Sequence, residues 1–138
     1  MTSSDAECTR ALTIGLVGHA GTTVTENLLA PAVGSGRVEV YATPSLTALM
    51  EQAAVDCVEA RLGPGEASLG VQIDLSHTVA TPLGLAVSAT ATLVEIDGRK
   101  LTFEIEARDS HGLIGKAVHT RVIVDVTRFW SKLAAKTG

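Results

Sequence analysis

The chain has 138 residues, which suffices for one compact domain and leaves no room for two. Hydrophobic residues make up 46% and charged residues 19% of the sequence, a balance that excludes intrinsic disorder. A net charge of −4 and an aromatic content of 3% exclude the basic, aromatic surface of a nucleic-acid-binding protein. We therefore expect no nucleic-acid partner.

Targeting and redox features favour the cytoplasm. Residues 1–10, predicted to be flexible, lack the basic start and apolar stretch of a signal peptide, and no apolar run is long enough to span a membrane. Cys8 and Cys57 form neither a disulfide framework nor a metal-binding spacing. We expect a cytoplasmic protein with no membrane partner and no metal site.

The first third of the chain carries weak patterns. Residues 12–17 predict a short strand, followed by a Gly- and Thr-rich stretch over residues 19–25. Residues 26–32 predict one helical turn, and residues 38–42 are predicted to be extended.

One long helix is predicted over residues 43–62. Thr43 suits the N-cap, Pro44 suits the first helical position, and the glycines at 63 and 65 end the helix. At about 100° per residue, the apolar side chains cover one wide arc. They are Leu46, Leu49, Met50, Ala53, Ala54, Cys57 and Val58. The pattern therefore predicts a mostly buried helix.

Four strands are predicted after the helix, over residues 67–79, 85–96, 101–108 and 113–126. Apolar residues recur with period two, and Asp97-Gly98 is typical of a tight hairpin. Because the helix is apolar on most sides, the sheet has to wrap it. The sequence predicts an α+β hotdog fold in a single domain, with an antiparallel sheet around one central helix and a dimer that covers the sheet edge. A mixed α+β sandwich of another topology is the alternative.

Two titratable residues interrupt the apolar pattern. Glu51 lies inside the apolar arc of the helix, and His77 occupies the apolar register of its strand. A carboxylate and an imidazole on packed elements can work as an acid–base pair. The structural alternatives are a Glu51 at a solvated or dimer-facing border and a His77 held in the core by a backbone carbonyl.

Three further polar positions leave alternatives open. Thr43 either caps the helix or uses its hydroxyl, with the positive helix end, to hold an oxygen that gains negative charge. Alternation places His119 and Arg121 opposite a valine face of the last strand, so we expect them to be solvated or to face a second subunit.

Residues 127–138 predict a basic C-terminal tail. Arg128, Lys132 and Lys136 recur at helical spacing. These cations are either solvated or meet the phosphates of a large cofactor.

Four segments together carry a specific combination of residues. Residues 41–43 read Tyr-Ala-Thr and residues 49–51 read Leu-Met-Glu. Residues 63–70 read Gly-Pro-Gly-Glu-Ala-Ser-Leu-Gly, and residues 76–84 read Ser-His-Thr-Val-Ala-Thr-Pro-Leu-Gly. This combination resembles the fluoroacetyl-CoA thioesterase family of hotdog proteins, over about residues 38–130.

The resemblance implies an acyl-CoA thioesterase whose active site contains Thr43, Glu51 and His77. Coenzyme A enters as part of the substrate, and no separate cofactor is implied. The family also implies a homodimer with active sites near the subunit interface.

The resemblance further implies a pocket touched by the Gly70 backbone and by Arg121, and Tyr41 is assigned to substrate binding with them. Fluoroacetyl-selective members have a phenylalanine before the helix that helps to close the acyl pocket. This chain has no phenylalanine between Pro31 and Thr43. We therefore expect a general small acyl-CoA substrate.

Three routes to thioester hydrolysis are open at this point. Glu51 either activates water or attacks the carbonyl itself, and His77 moves protons. Thr43 either positions the carbonyl oxygen or is the nucleophile. A different class of function, a non-catalytic acyl-CoA-binding module on the same fold, is the alternative to an enzyme.

Overall fold

The computed structural model describes residues 10–137. Residues 1–9, which cover most of the segment predicted to be flexible, and Gly138 lie outside the described residues. The strands are β1 (Val17–Thr23), β2 (Glu66–His77), β3 (Ala86–Asp97), β4 (Lys100–Asp109) and β5 (Gly112–Asp125). The helices are α1 (Ala30–Val33), α2 (Thr43–Val58) and α3 (Val126–Ala134), with single 3₁₀ turns at Glu26–Leu28 and Glu59–Arg61.

The five strands form one antiparallel sheet in the order β1-β3-β4-β5-β2. The sheet curls around α2, whose seven predicted apolar residues are all buried. The inner face of β4 supplies Leu101, Phe103, Ile105 and Ala107 to the same core, as the alternation predicts. This arrangement is the hotdog fold predicted from the sequence.

The first strand lies later in the chain than predicted. Residues 12–16 precede β1, and Leu12 and Leu16 only pack against the edge of the core. The Gly-rich stretch forms the strand because Gly18 lets β1 cross α2 closely. A Cβ at Gly18 would collide with the backbone of Ala53 and Cys57. The glycine that weakens the sequence signal therefore permits the packing.

The long helix begins and ends differently from the prediction. Ala42 occupies the N-cap and Thr43 is the first helical residue, with no side-chain capping hydrogen bond. The α-helix ends at Val58, and Glu59–Arg61 tighten into a 3₁₀ turn. The Thr43 side chain is therefore free to contact another element.

A β-bulge at Val71 reverses the predicted register of the first half of β2. Gly70 pairs with Arg121 and Gln72 with Thr120, so Val71 has no partner on β5. Side chains before the bulge face inward at even positions, which leaves Leu69 and Val71 38% and 59% exposed. Alternation alone cannot reveal an inserted residue, so a regular period of two over residues 67–79 wrongly predicts Leu69 and Val71 on the inner face.

The predicted orientation of β5 is also wrong. His119 and Arg121 are 1% and 6% exposed and face inward, whereas Val118 is 50% exposed on the outer face. Valine favours a strand without requiring burial, because its branched side chain suits the pleat on either face. The inward face of β5 is partly polar at this point and indicates a functional site.

Candidate active site

The N-terminus of α2 meets the end of β2 through two side chains. The Thr43 Oγ1 and His77 Nδ1 atoms lie 2.8 Å apart. Thr43 is exposed at the helix end, and His77 is half-buried as the last residue of its strand. We call Thr43 and His77 the threonine cluster. A hydroxyl within hydrogen-bond distance of an imidazole is the geometry of a nucleophile and its base.

Burial governs the protonation of His77. Desolvation lowers the pKa of its imidazole below the usual value of 6.5, which favours the neutral form. Its Nε2 atom is buried and has no hydrogen-bond partner among the described residues. A buried polar atom without a partner carries a free-energy cost, and a bound substrate or water that contacts Nε2 would remove that cost.

Tyr41 flanks this cluster from the segment before α2. Its ring packs edge-on against His77, with centroids 6.4 Å apart, and its hydroxyl donates to the Ser45 carbonyl at 3.2 Å. Burial raises the pKa of Tyr41 to about 12, so its hydroxyl stays protonated. Tyr41 is 2% exposed and supports the imidazole from inside the core.

Glu51 belongs to a second cluster, two turns further along α2. Its carboxylate lies 3.2 Å from Nη1 of Arg121 on β5, and its side chain is 43% exposed. The carboxylate passes over Gly70 of β2, where any Cβ would collide with Glu51 Oε2. We call Glu51, Gly70 and Arg121 the carboxylate cluster. The absence of a side chain at position 70 therefore leaves room for the Glu51 carboxylate in this position.

Three residues around Arg121 were not predicted as site residues. Ser68 and His119 contact the guanidinium directly, and Glu59 contacts Ser68. The alternation of valines in β5 predicts His119 on the outer face, and this prediction is wrong because His119 faces inward. No signal in the sequence joins Glu59 to Ser68, because they meet only through the packing of the 3₁₀ turn on β2.

The two clusters do not meet within one chain. Among the residues that the structure describes, no hydrogen bond or ion pair joins Glu51 to His77, the two groups that we expected to act together. Thr43 and Glu51 are separated by eight residues of helix, a rise of about 12 Å. One chain therefore places the hydroxyl–imidazole pair and the carboxylate–guanidinium pair at two separate points along α2.

A basic surface cavity lies at the end of β5. It has a volume of about 450 Å³, and its lining includes three cations, Arg99, Arg128 and Lys132, with Phe129 and one acidic residue, Asp125. Arg128, Phe129 and Lys132 belong to α3, which forms within the segment predicted as a basic tail. In a chain of net charge −4, this concentration of cations suits a phosphate-bearing ligand.

Two further features are absent from residues 10–137, a metal-binding cluster and a membrane-spanning helix. No group of three or more His, Cys, Asp or Glu side chains there is arranged to hold a metal ion. None of the helices in that range is long and apolar enough to cross a membrane.

Comparison with known proteins identifies the family. Residues 24–127 match the family described as fluoroacetyl-CoA-specific thioesterase. The fluoroacetyl-CoA thioesterase of Streptantibioticus cattleyicolor is 41% identical over 99 residues, which cover 72% of this chain and 71% of that protein.

Solved structures agree with this match. A structure of the fluoroacetyl-CoA thioesterase FlK superposes with a TM-score of 0.86 at 32% identity, covering 93% of this chain and 99% of that one. A hot-dog-like protein from Thermanaerovibrio acidaminovorans has a TM-score of 0.84 at 21% identity, covering 92% and 94% of the two chains, and supports the fold alone. By sequence and by structure, the chain belongs to the fluoroacetyl-CoA-specific thioesterase family of hotdog proteins.

Proposed function

We propose that the protein is a thioesterase that hydrolyses small acyl-CoA substrates in a homodimer with shared active sites. Each site combines the threonine cluster of one copy with the carboxylate cluster of the other. The observation that carries this proposal is that, among the described residues, no hydrogen bond or ion pair joins the Glu51 side chain to Thr43 or His77. Helix positions 43 and 51 are separated by a rise of about 12 Å along α2. Catalytic groups act over hydrogen-bond distances, so one chain alone does not assemble the site.

The edge strand β2 is where a second copy would bind. It pairs only with β5, so its other edge carries unpaired backbone groups, and Leu69 and Val71 are exposed beside them. If two copies pair antiparallel about an axis between Ile73 and Asp74, Gly70 of one lies opposite His77 of the other. This pairing would bring the two clusters together on each side of the axis.

The threonine cluster supplies the nucleophile. Thr43 Oγ1 attacks the thioester carbonyl carbon while its proton passes to Nδ1 of neutral His77. The carbon–sulfur bond then breaks, and the departing coenzyme A sulfur takes the proton from His77. Water attacks the resulting threonine ester and gives its proton to His77, and the free acid leaves as the hydroxyl of Thr43 is restored.

The oxygen that becomes negative faces the start of α2. The first turn of a helix has N–H groups without intrahelical acceptors, and Ala42 offers no side-chain oxygen to occupy them. The Glu51 carboxylate of the other copy, held by Arg121, orients the water for the second step. In this proposal Glu51 therefore orients the water by accepting a hydrogen bond from it, and His77 is the base in both steps.

The substrate is a small acyl group on coenzyme A. FlK is described as fluoroacetyl-CoA-specific, but residues 32–42 of this chain contain no phenylalanine, so acetyl and similar groups are proposed here. The basic cavity at the end of β5 is proposed to bind the phosphates of coenzyme A. Cys57 is a free, buried thiol, in keeping with the cytoplasm as the proposed location.

Thiol release from a panel of acyl-CoA thioesters tests this function. We expect turnover of short acyl chains, and a higher KM for an acyl-pantetheine that lacks the nucleotide. Thr43→Val, Glu51→Gln and His77→Ala should each lower kcat by about 10²-fold or more. Thr43→Ser keeps the hydroxyl and should retain most of the activity.

Thr47→Val is the matched control for Thr43→Val. Thr47 lies one turn further along α2 and donates only to the Thr43 backbone carbonyl, at 2.9 Å. Loss of the Thr47 hydroxyl should leave kcat unchanged. Acyl-CoA binding without thiol release from any thioester would instead identify a non-catalytic binding module and contradict the proposal.

A further inference from the structure

Arg121 is a buried cation whose donors are bound on three sides. Its Nε donates to the Ser68 hydroxyl at 2.8 Å, and its Nη2 donates to the Ser68 carbonyl at 3.1 Å. Its Nη1 faces both Glu51 Oε2 and His119 Nε2, each at 3.2 Å. A guanidinium held in this way has little freedom to rotate, so the position of Nη1 is fixed by Ser68 and His119.

The neighbours of His119 define its tautomer. Its Nδ1 lies 2.7 Å from the Gln72 carbonyl, which only accepts, so Nδ1 carries the proton. Its Nε2 faces the guanidinium, which only donates, so Nε2 is the acceptor. Burial, reinforced by the Arg121 charge, lowers the pKa of His119 against the opposing effects of Gln72 and Glu51. His119 is therefore a neutral acceptor.

This tautomer settles the relation between His119 and Glu51. Their Nε2 and Oε2 atoms are 4.0 Å apart, a distance compatible with an ion pair only if the imidazole is protonated. With a lone pair on Nε2, both atoms accept from the same guanidinium nitrogen. His119 and Glu51 thus act on Arg121 from two sides and do not exchange a proton.

Glu59 fixes the remaining side of the arrangement. One of its carboxylate oxygens accepts from the Ser68 hydroxyl at 2.6 Å, and the other accepts from the Ser68 N–H at 3.0 Å. Since Arg121 Nε donates to the same hydroxyl, the Ser68 proton has to point to Glu59. The two hydrogen bonds are therefore donated in the same direction, from Arg121 to the Ser68 hydroxyl and from that hydroxyl to Glu59.

We propose that His119, Ser68 and Glu59 are positioning residues for the thioesterase site, which hold Arg121 so that its Nη1 fixes the Glu51 carboxylate above Gly70. The inference rests on the proposed function, because that proposal gives Glu51 its role with water. The Glu51 side chain is 43% exposed and makes no other hydrogen bond among the described residues, so Arg121 is what limits its motion. Small displacements of a catalytic group cost large factors in rate.

A double-mutant cycle tests the inference. Ser68→Ala and His119→Leu should each lower kcat by about tenfold or more in the wild-type background, with a smaller change in KM. In the Glu51→Gln background, either change should lower kcat by less than about twofold, because the group being positioned is already absent. Equal losses in both backgrounds would show that Ser68 and His119 act independently of Glu51.

Conservative variants separate positioning from other roles. His119→Gln offers an amide oxygen to Arg121 and should recover most of the activity lost in His119→Leu. If His119→Gln were as slow as His119→Leu, an imidazole would be required and the positioning role would be wrong. Glu59→Gln keeps one acceptor oxygen, and its kcat should lie between those of the wild type and Ser68→Ala. A wild-type kcat would exclude Glu59 as a positioning residue.

Val87→Ala controls for general loss of stability. Val87 is buried on β3, away from β2 and β5, so its truncation should lower the melting temperature and leave kcat unchanged.

The Glu51→Gln variant distinguishes failure of the proposed function from failure of this inference. If Glu51→Gln is as active as wild type, the function assigned to Glu51 is wrong. If Glu51→Gln is slow while Ser68→Ala and His119→Leu are unimpaired, only the positioning role is wrong.

Discussion

At the scale of single residues, burial sets the charge of the two histidines in the site. Desolvation lowers the pKa of both His77 and His119 below the usual 6.5. In the unfolded chain both imidazoles regain ordinary pKa values. Just below pH 6.5 the unfolded state therefore binds more protons than the folded state.

We therefore expect the free energy of unfolding to fall as the pH decreases from 6.5 towards the lowered pKa values. Urea unfolding between pH 7.5 and 5 measures this slope. The lowered pKa of Glu66, caused mainly by its hydrogen bond to Arg10, acts at more acidic pH, where protonation of the carboxylate removes stability. His119→Gln should reduce the slope, and an unchanged slope in that variant would contradict the assignment.

Glu51 and His77 interrupt an apolar pattern in the sequence, and Thr43 stands at the predicted start of the helix, but the sequence does not show which of these three residues touch. The sequence suits Thr43 to the N-cap, whereas the structure has Ala42 in that position. Contacts such as the one between Arg121 and Ser68 join residues more than fifty positions apart. Such contacts depend on packing between elements, which periodicity within one element does not contain.

At the scale of elements, periodicity predicted most of the fold. The helix, the β3–β4 hairpin and the inner face of β4 followed directly from apolar spacing and the Asp97-Gly98 turn. The predictions failed where the sheet approaches α2 or turns polar. β1 is rich in small residues, and the core face of β5 carries His119 and Arg121. In both places, small or polar residues stand where an apolar pattern would otherwise mark a buried strand.

The crossing of β1 over α2 gives a prediction for Gly18. Gly18→Ala should lower the free energy of unfolding by about 1–3 kcal/mol, because its Cβ would displace the backbone of Ala53 and Cys57. Gly21→Ala is the control on the same strand, since its Cβ would have an ordinary contact at 3.6 Å with the Val87 carbonyl oxygen. Equal urea midpoints for the two variants would show that α2 can move away from β1.

At the scale of the whole molecule, the proposed shared site predicts complementation between inactive variants. A heterodimer of His77→Ala and Glu51→Gln chains would contain one site with both native residues and one site with neither. We expect about half of the wild-type kcat per dimer, measured on heterodimers purified through two different tags.

The inverse heterodimer provides the control. Pairing a wild-type chain with a chain that carries both substitutions would leave one defect in every shared site. This heterodimer should be as slow as the single variants. If it retained half of the wild-type rate while the first heterodimer stayed inactive, each site would lie within one chain.

The bulge at Val71 determines how many residues must separate Gly70 from His77 if both are to face the same side of the sheet. Gly70 and His77 are seven positions apart, and in a regular strand an odd spacing puts two residues on opposite faces. The unpaired Val71 absorbs one position, so Gly70 lies under Glu51 while His77 still reaches Thr43. Substitutions between Gly70 and His77 are therefore tolerated more readily than deletions. Deleting a single residue there would turn the imidazole out to solvent.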